Sequence, residues 1–234
     1  MADFSQTLPD AIRRLPDQAD PRDVLRAIRA VPAGGTIASD ADETLWACDV
    51  GDEVMRAADA GTGPWPAGAA DFARYEHDMN SGDYMEACRR SARTLAQVPA
   101  SAAQAALQPV LAAARLRRWL AEALQEASDR GVQVWIVSAS PRPVVQWAAA
   151  LHGFSPDRVI GIEVKEGVVV EPAPVGLGKV AAWRRRGLAK PDIALGDSRW
   201  DGPLLASAKV GFLLQKASLD PQCAAGAAEV ACGA

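Results

Sequence analysis

The strongest constraint on this chain is an alternation. Short runs of β-branched and apolar residues are separated by longer stretches with helical spacing. Residues 36–39 (TIAS), 132–137 (VQVWIV), 158–162, 167–170, 192–195 and 209–214 read as strands, with a hairpin expected around 167–170. A helical pattern over 111–129 stops at Gly131 and feeds the second of these runs. Another over 179–186 leads through Pro191 into 192–195. Strands that alternate with helices predict an α/β fold with a mainly parallel sheet covered on both faces.

Between the first strand and residue 111 lie about 70 residues with no strand pattern and many helix formers, notably 52–60, 69–79 and 83–96. They read as a helical insert, with Gly61-Thr62-Gly63-Pro64-Trp65-Pro66 as its clearest loop and the alanine-rich 100–114 as plain helix. Residues 10–30 carry apolar side chains at helical spacing, broken by Pro16 and Pro21, and predict a helical N-terminal extension. The tail after Ser218 is rich in Ala and Gly and predicts weak order. The expected organisation is therefore an extension over 1–33, a core domain of 34–47 and 111–234, and a helical unit over 48–110. A chain of 234 residues that is 49% apolar suffices for one good core and a smaller second one.

Several function classes are disfavoured. A formal charge of -4 and a pI near 5.3 argue against a nucleic-acid partner. No apolar run reaches about 18 residues and the N-terminus lacks the form of a secretion signal, so a cytoplasmic protein without membrane contact is expected. Cys48, Cys88, Cys223 and Cys232 show no metal-ligand spacing and read as reduced thiols. With only His77 and His152, histidine-based triads or zinc sites have little to work with.

The segment that carries chemistry is Ile37-Ala38-Ser39-Asp40-Ala41-Asp42-Glu43-Thr44-Leu45-Trp46. Its strand ends in two carboxylates, where open parallel sheets bind ligands. Carboxylates so close need a cation or a shared proton, and Mg²⁺ held by carboxylates and a substrate phosphate would serve. Ser138-Ala139-Ser140-Pro141, ending the second strand, offers a hydroxyl and backbone N–H groups at an expected helix start, a place for phosphate oxygens. Lys179, within Gly178-Lys179-Val180, is a point charge suited to a phosphate and its attacking carboxylate. Gly196-Asp197-Ser198-Arg199-Trp200-Asp201 repeats the design of a strand followed by aspartate, and Asp197 supplies a metal ligand.

These four segments, in this order over about residues 36–214, resemble the four motifs of the haloacid dehalogenase superfamily, most closely its phosphoserine-phosphatase-like branch. The resemblance implies a Rossmann-like core with a helical cap inserted after the first motif. It also implies a small phosphorylated metabolite as substrate and an Mg²⁺-dependent phosphomonoester hydrolase. In that family Asp40 would be the nucleophile and Asp42 the general acid and base. Ser138, Ala139 and Lys179 would hold phosphate, and Asp40, Asp42, Asp197 and Asp201 would surround the metal. Dehalogenase relatives generally lack the second aspartate because a halide leaves without a proton, so Asp42 favours phosphatase chemistry. A phosphomutase would use the same motifs, and an inactive phosphate-binding regulator is the reading from another class. Many relatives carry Gly or Ser where this chain has Glu43, and a charge there is expected to alter access to the site.

The insert should close over the site as a lid and supply specificity. Asp49, nine positions after Asp40, resembles the acidic residue that meets a substrate amine in that branch. Phosphoserine, phosphoethanolamine and phosphocholine are the candidate substrates. Trp46, with Trp65 or Tyr75 beside it, would suit a cation-π wall. Plainer roles compete: a helix cap for Asp49, a turn residue for Asp201, core packing for the tryptophans and a solvated helix end for Arg184-Arg185-Arg186.

Overall fold

The computed structural model describes residues 18–81 and 83–219. Its five-stranded sheet is wholly parallel, in the order β3-β2-β1-β6-β7, with β1 at Thr36–Ser39, β2 at Gln133–Pro141, β3 at Val159–Ile162, β6 at Ile193–Gly196 and β7 at Val210–Leu213. Strand β1 is central. Ile37 sits opposite Val134 of β2 on one side and Ile193 of β6 on the other, so the carboxyl ends of all three strands lie together. Asp40 continues the ladder by donating its backbone N–H to the Leu195 carbonyl at 2.9 Å.

The two faces of the sheet divide the apolar run of β1 by its two-residue period. Ile37 joins Val134, Ile136, Ile193 and Leu195 in the larger core, beneath α1 (Pro21–Ala30), α6 (Arg118–Asp129) and α7 (Arg142–Leu151). Ala38 joins Val137, Ala194, Trp183 and Leu204 on the opposite face, under α8 (Leu177–Arg185) and α9 (Gly202–Ser207). Burial on both faces is why these strands read as mostly apolar runs rather than as an apolar and polar alternation. Helix α1 is capped by Asp20, starts with Pro21 at its first position and buries Val24 and Ile28 against α6. The rest of the expected N-terminal helix, with Ile12 and Leu15, lies outside the described residues, as does the tail from residue 220. The expected hairpin pairs β4 (Val164–Lys165) with β5 (Val168–Val169).

Two expectations need correction. The helix read over 111–129 is two helices, α5 (Ala100–Ala113) and α6, because residues 114–117 leave the helical path. There Ala47 donates its N–H to the Arg115 carbonyl and Arg117 to that of Leu45, both at 2.9 Å, with Trp46 and Leu116 as the bridge between them. The chain enters and leaves the inserted helices along these two paired segments. The insert itself holds α2 (Val50–Ala60), α3 (Phe72–Ser81), α4 (Tyr84–Ala96) and α5. Second, β2 does not end at Val137. It runs on to Pro141 through an irregularity in its pairing with β3, so Ser138, Ala139 and Ser140 lie in strand and helix α7 begins only at Arg142.

Candidate active site

Two glycines open the way for the chemistry. A Cβ on Gly196 would stand 2.4 Å from the Asp201 Cβ, and one on Gly178 would stand 1.8 Å from the Ala173 carbonyl oxygen. Only residues without a side chain let the loop after β6 and the first turn of α8 come this close. The Lys179 ammonium is thereby delivered to the end of β1. Its Nζ donates to Asp40 Oδ1 at 2.6 Å and to Asp201 Oδ1 at 2.5 Å. All three are inside the protein, at 2%, 6% and 1% exposure.

Asp201 has both oxygens engaged. Its Oδ2 accepts from the Ser198 hydroxyl at 2.7 Å and from the backbone N–H groups of Ser198 and Asp197 at 3.0 and 3.3 Å. It shapes the turn that carries Asp197 while also facing Lys179, so the turn role and the site role are both present. The Thr44 hydroxyl lies 2.9 Å from Asp197 Oδ1 and 3.3 Å from Asp40 Oδ2, so it ties these two carboxylates together. Sequence reasoning passed over Thr44, although a hydroxyl four residues after Asp40 in the same tight loop was there to be noticed.

Asp40, Asp197 and Asp201 bring one carboxylate oxygen each within 4.8 Å of one another. Against this triad the contacts supply one ammonium. Burial and the repulsion of Asp201 push the Asp40 carboxyl well above the usual range despite Lys179. Burial, with Asp201 next, pushes Asp197 to about 6. Burial alone would pull the Lys179 ammonium down, but Asp201 and Asp40 outweigh it and raise it. A site with surplus negative charge and hard oxygen donors fits a divalent cation.

The carboxylate of Asp42 lies outside this triad, unlike the expectation that it would join the metal cluster. Its Oδ2 accepts from the hydroxyls of Ser140 (2.7 Å) and Ser138 (3.1 Å), its Oδ1 from the Trp46 indole N–H (2.9 Å) and the Val50 N–H (3.1 Å). Ser138 is thus engaged with Asp42 and also accepts from the Ser140 N–H at 2.9 Å. Ala139 packs with Cys88, Ala92 and Ile162 where the insert meets the sheet.

Trp46 takes a different place from the expected cation-π wall. It is fully buried, its ring centroid 6.0 Å from that of His152, and it holds Asp42. Trp65 and Tyr75 are buried too, the former donating to the Thr94 carbonyl. Asp49 is the N-cap of α2, accepting from the N–H groups of Gly51 (2.8 Å) and Asp52 (3.1 Å). Burial and the charge of Asp42 raise its carboxyl well above the usual range, so the cap also feels the site. Glu43 points away from the cleft. Its carboxylate accepts from the Ser218 N–H at 2.9 Å and its carbonyl from the Ala217 N–H at 2.6 Å. Its φ of 57° is a left-handed conformation that favours glycine.

From the insert, Tyr84 and Cys88 complete the surroundings. Burial raises both groups, with Cys88, Asp49 and Asp40 next for the Tyr84 phenol and Asp49 next for the Cys88 thiol. The Tyr84 ring stacks on Trp200 of the Asp197 loop, centroids 4.6 Å apart and planes 10° from parallel. The insert therefore touches the loop that carries the carboxylates.

Comparison with protein-family models matches residues 37–206 to the haloacid dehalogenase-like hydrolases. The chain belongs to this family. Among solved structures it is similar to a HAD family hydrolase from Salmonella enterica serovar Typhi (23% identity, TM-score 0.54), covering 77% of this chain but only 62% of that one. It is similar as well to a phosphoserine phosphohydrolase-like protein from Francisella tularensis (16%, 0.53; 75% and 84% covered). A third likeness is to a phosphoserine phosphatase solved as a phospho-aspartyl intermediate analogue (18%, 0.52; 77% and 87% covered). At these identities the neighbours speak for a shared HAD-like Rossmann fold. No curated protein matches the sequence. Among the described residues no helix is long and apolar enough to cross a membrane.

Proposed function

We propose that this HAD-family hydrolase is a metal-dependent phosphomonoesterase in which Asp40 is the nucleophile and Asp42 the proton carrier. The observation that carries the reading is the buried Lys179 bridge between Asp40 and Asp201, beside a third carboxylate, at the end of the central strand. Lys179 holds one oxygen of Asp40, and the Thr44 hydroxyl stands 3.3 Å from the other, which fixes the direction from which its carboxylate meets phosphorus. As the Asp40 oxygen bonds to phosphorus, the ester P–O bond breaks and Asp42 gives its proton to the departing alkoxide. Asp42 then takes a proton from the water that attacks the aspartyl-phosphate, which releases phosphate, frees the Asp40 carboxylate and returns Asp42 to its protonated starting form. Lys179 offsets charge on the phosphoryl oxygens throughout. Asp40, Asp197 and Asp201 are the residues that would hold a divalent cation, Mg²⁺ by donor type. When bound it supplies positive charge that keeps Asp40 ionised and shields the phosphoryl oxygens.

The leaving alcohol, in this reading, bears an amine. Asp49 and Asp52 stand at the start of α2, beside Ser140 and Asp42. The arginines of the insert are engaged elsewhere: Arg56 on the Phe72 ring, Arg74 and Arg90 on Asp78, Arg89 on Glu171 and Arg93 on Glu86. That charge pattern suits phosphoethanolamine or phosphocholine better than phosphoserine, whose carboxylate needs a cation. The inserted helices act as the lid.

The first test is release of phosphate from para-nitrophenyl phosphate, expected to need Mg²⁺ and to vanish in Asp40→Asn. Turnover that survives this substitution overturns the mechanism. The second is a panel of phosphoserine, phosphoethanolamine, phosphocholine and sugar phosphates, run also on Asp49→Ala. Preference for sugar phosphates with an unaffected variant overturns the amine reading alone.

A further inference from the structure

The run Arg184-Arg185-Arg186 gains a partner in the fold. Arg185 and Arg186, at the end of α8, line a cavity of about 270 Å³ together with Arg142, Lys165 and Glu163, on the side of edge strand β3. None of Asp40, Asp42, Lys179, Asp197 or Asp201 lines it. In a chain of net charge -4, these walls carry three net positive charges. The positive charges are underpaired. A single oxygen, Glu163 Oε1, accepts from both Arg142 (2.7 Å) and Arg186 (3.1 Å). Arg185 donates to the backbone carbonyl of Glu171, a neutral acceptor. Arg142 Nε is buried with no hydrogen-bond partner, a donor whose desolvation nothing in the fold repays.

We propose that this cavity is a second anion site that takes a phosphate-type dianion. Two guanidiniums already converge on one carboxylate oxygen, Glu163 Oε1, so charged donors from two elements meet where an oxyanion can sit, and guanidinium donors suit phosphate oxygens. Lys165 and Arg185 add positive charge to the walls. The size suits a small ion or the phosphoryl end of a metabolite and is too small for a macromolecular partner. The inference concerns residues outside the catalytic centre and stands whether or not the proposed reaction does.

The test is calorimetric titration of inorganic phosphate into the full chain with Mg²⁺. Two phosphates per chain are expected, one at the catalytic centre and one here. Arg186→Ala should weaken the second at least about tenfold while hydrolysis of para-nitrophenyl phosphate is unchanged. Glu163→Gln should tighten it by roughly threefold or more, because it removes the carboxylate that competes for the same guanidiniums. Since these two substitutions act in opposite directions, a general loss of folding cannot imitate the pair. Methylphosphonate in place of phosphate separates the sources: retained binding marks a site for the phosphoryl group of a larger molecule, lost binding a site for free phosphate. A single phosphate per chain, or two whose affinities both variants leave unchanged, overturns the proposal.

Discussion

Asp197→Asn should make the metal-free protein more stable at pH 7.5 while removing most of its response to Mg²⁺. The folded carboxyl of Asp197 is raised from 3.8 to about 6, chiefly by burial and then by Asp201. For a carboxyl raised on folding, the ionised form is disfavoured in the native state. The cost is full above the folded value, shrinks as pH falls through about 6 and is gone below 3.8. A shift of this size corresponds to about 3 kcal/mol, and partial exposure of Asp197 trims the expected gain to about 2 kcal/mol. Asparagine keeps the oxygen that accepts from Thr44 and loses the charge. In a chain of this size the melting temperature should rise by about 4–8 °C. Thermal unfolding followed by circular dichroism at pH 4, 5, 6 and 7.5, in EDTA and in Mg²⁺, reads the effect. The half-buried imidazole of His152, lowered by desolvation, loses stability on acidification, but it is common to both proteins and cancels in the difference. A variant no more stable than wild type at pH 7.5 without metal, or one whose advantage persists at pH 4, refutes the charge argument.

Three further outcomes follow from the contacts. Asp42→Asn should lower kcat about a hundredfold to ten-thousandfold, the usual worth of a positioned acid and base, with the folded state intact by circular dichroism. Trp46→Phe removes one donor to Asp42 and keeps an aromatic ring in the core. It should lower kcat about tenfold with KM little changed in steady-state assays. Gly196→Ala drives a methyl into Asp201 at 2.4 Å and should cost roughly 1–3 kcal/mol by urea unfolding, with activity lost as the Asp197 turn shifts.

Most of the fold was legible because its signals are local. Burial on both faces makes 36–39, 132–137 and 192–195 read as mostly apolar or small runs, and these are the neighbours β1, β2 and β6. The places where reading failed depend on distant partners. Residues 114–117 have ordinary helical composition, yet they leave the helix because the other chain crossing at 45–47 offers backbone pairing. Residues 138–140 look like a helix start after a strand, but β3 extends the pairing to Pro141. No window of a dozen residues contains that information.

The site divides along the same line, between where a residue sits and where its side chain points. Strand ends placed Asp40, Asp42 and Asp197 in one neighbourhood, the resemblance added Lys179 and Asp201, and the backbone brings the five together through the end of β1, the loop after β6 and the first turn of α8. Direction depends on packing. Trp46 is attractive as an exposed cation-π wall until the pairing with Leu116 buries it, and its indole N–H donates to Asp42. Glu43 looks like a charge at the mouth of the site, but a left-handed turn swings it to the segment at 217–218, which lies more than 170 residues away in sequence. The same turn brings Thr44 back between Asp40 and Asp197. A loop that must present Asp40 to Lys179, Asp42 to two serines and Thr44 to both Asp40 and Asp197 within five residues needs such a reversal. The strain at Glu43, of order 1 kcal/mol in a non-glycine residue, is offset by its two hydrogen bonds to 217–218. That clasp is how this chain holds a left-handed turn at a residue other than glycine.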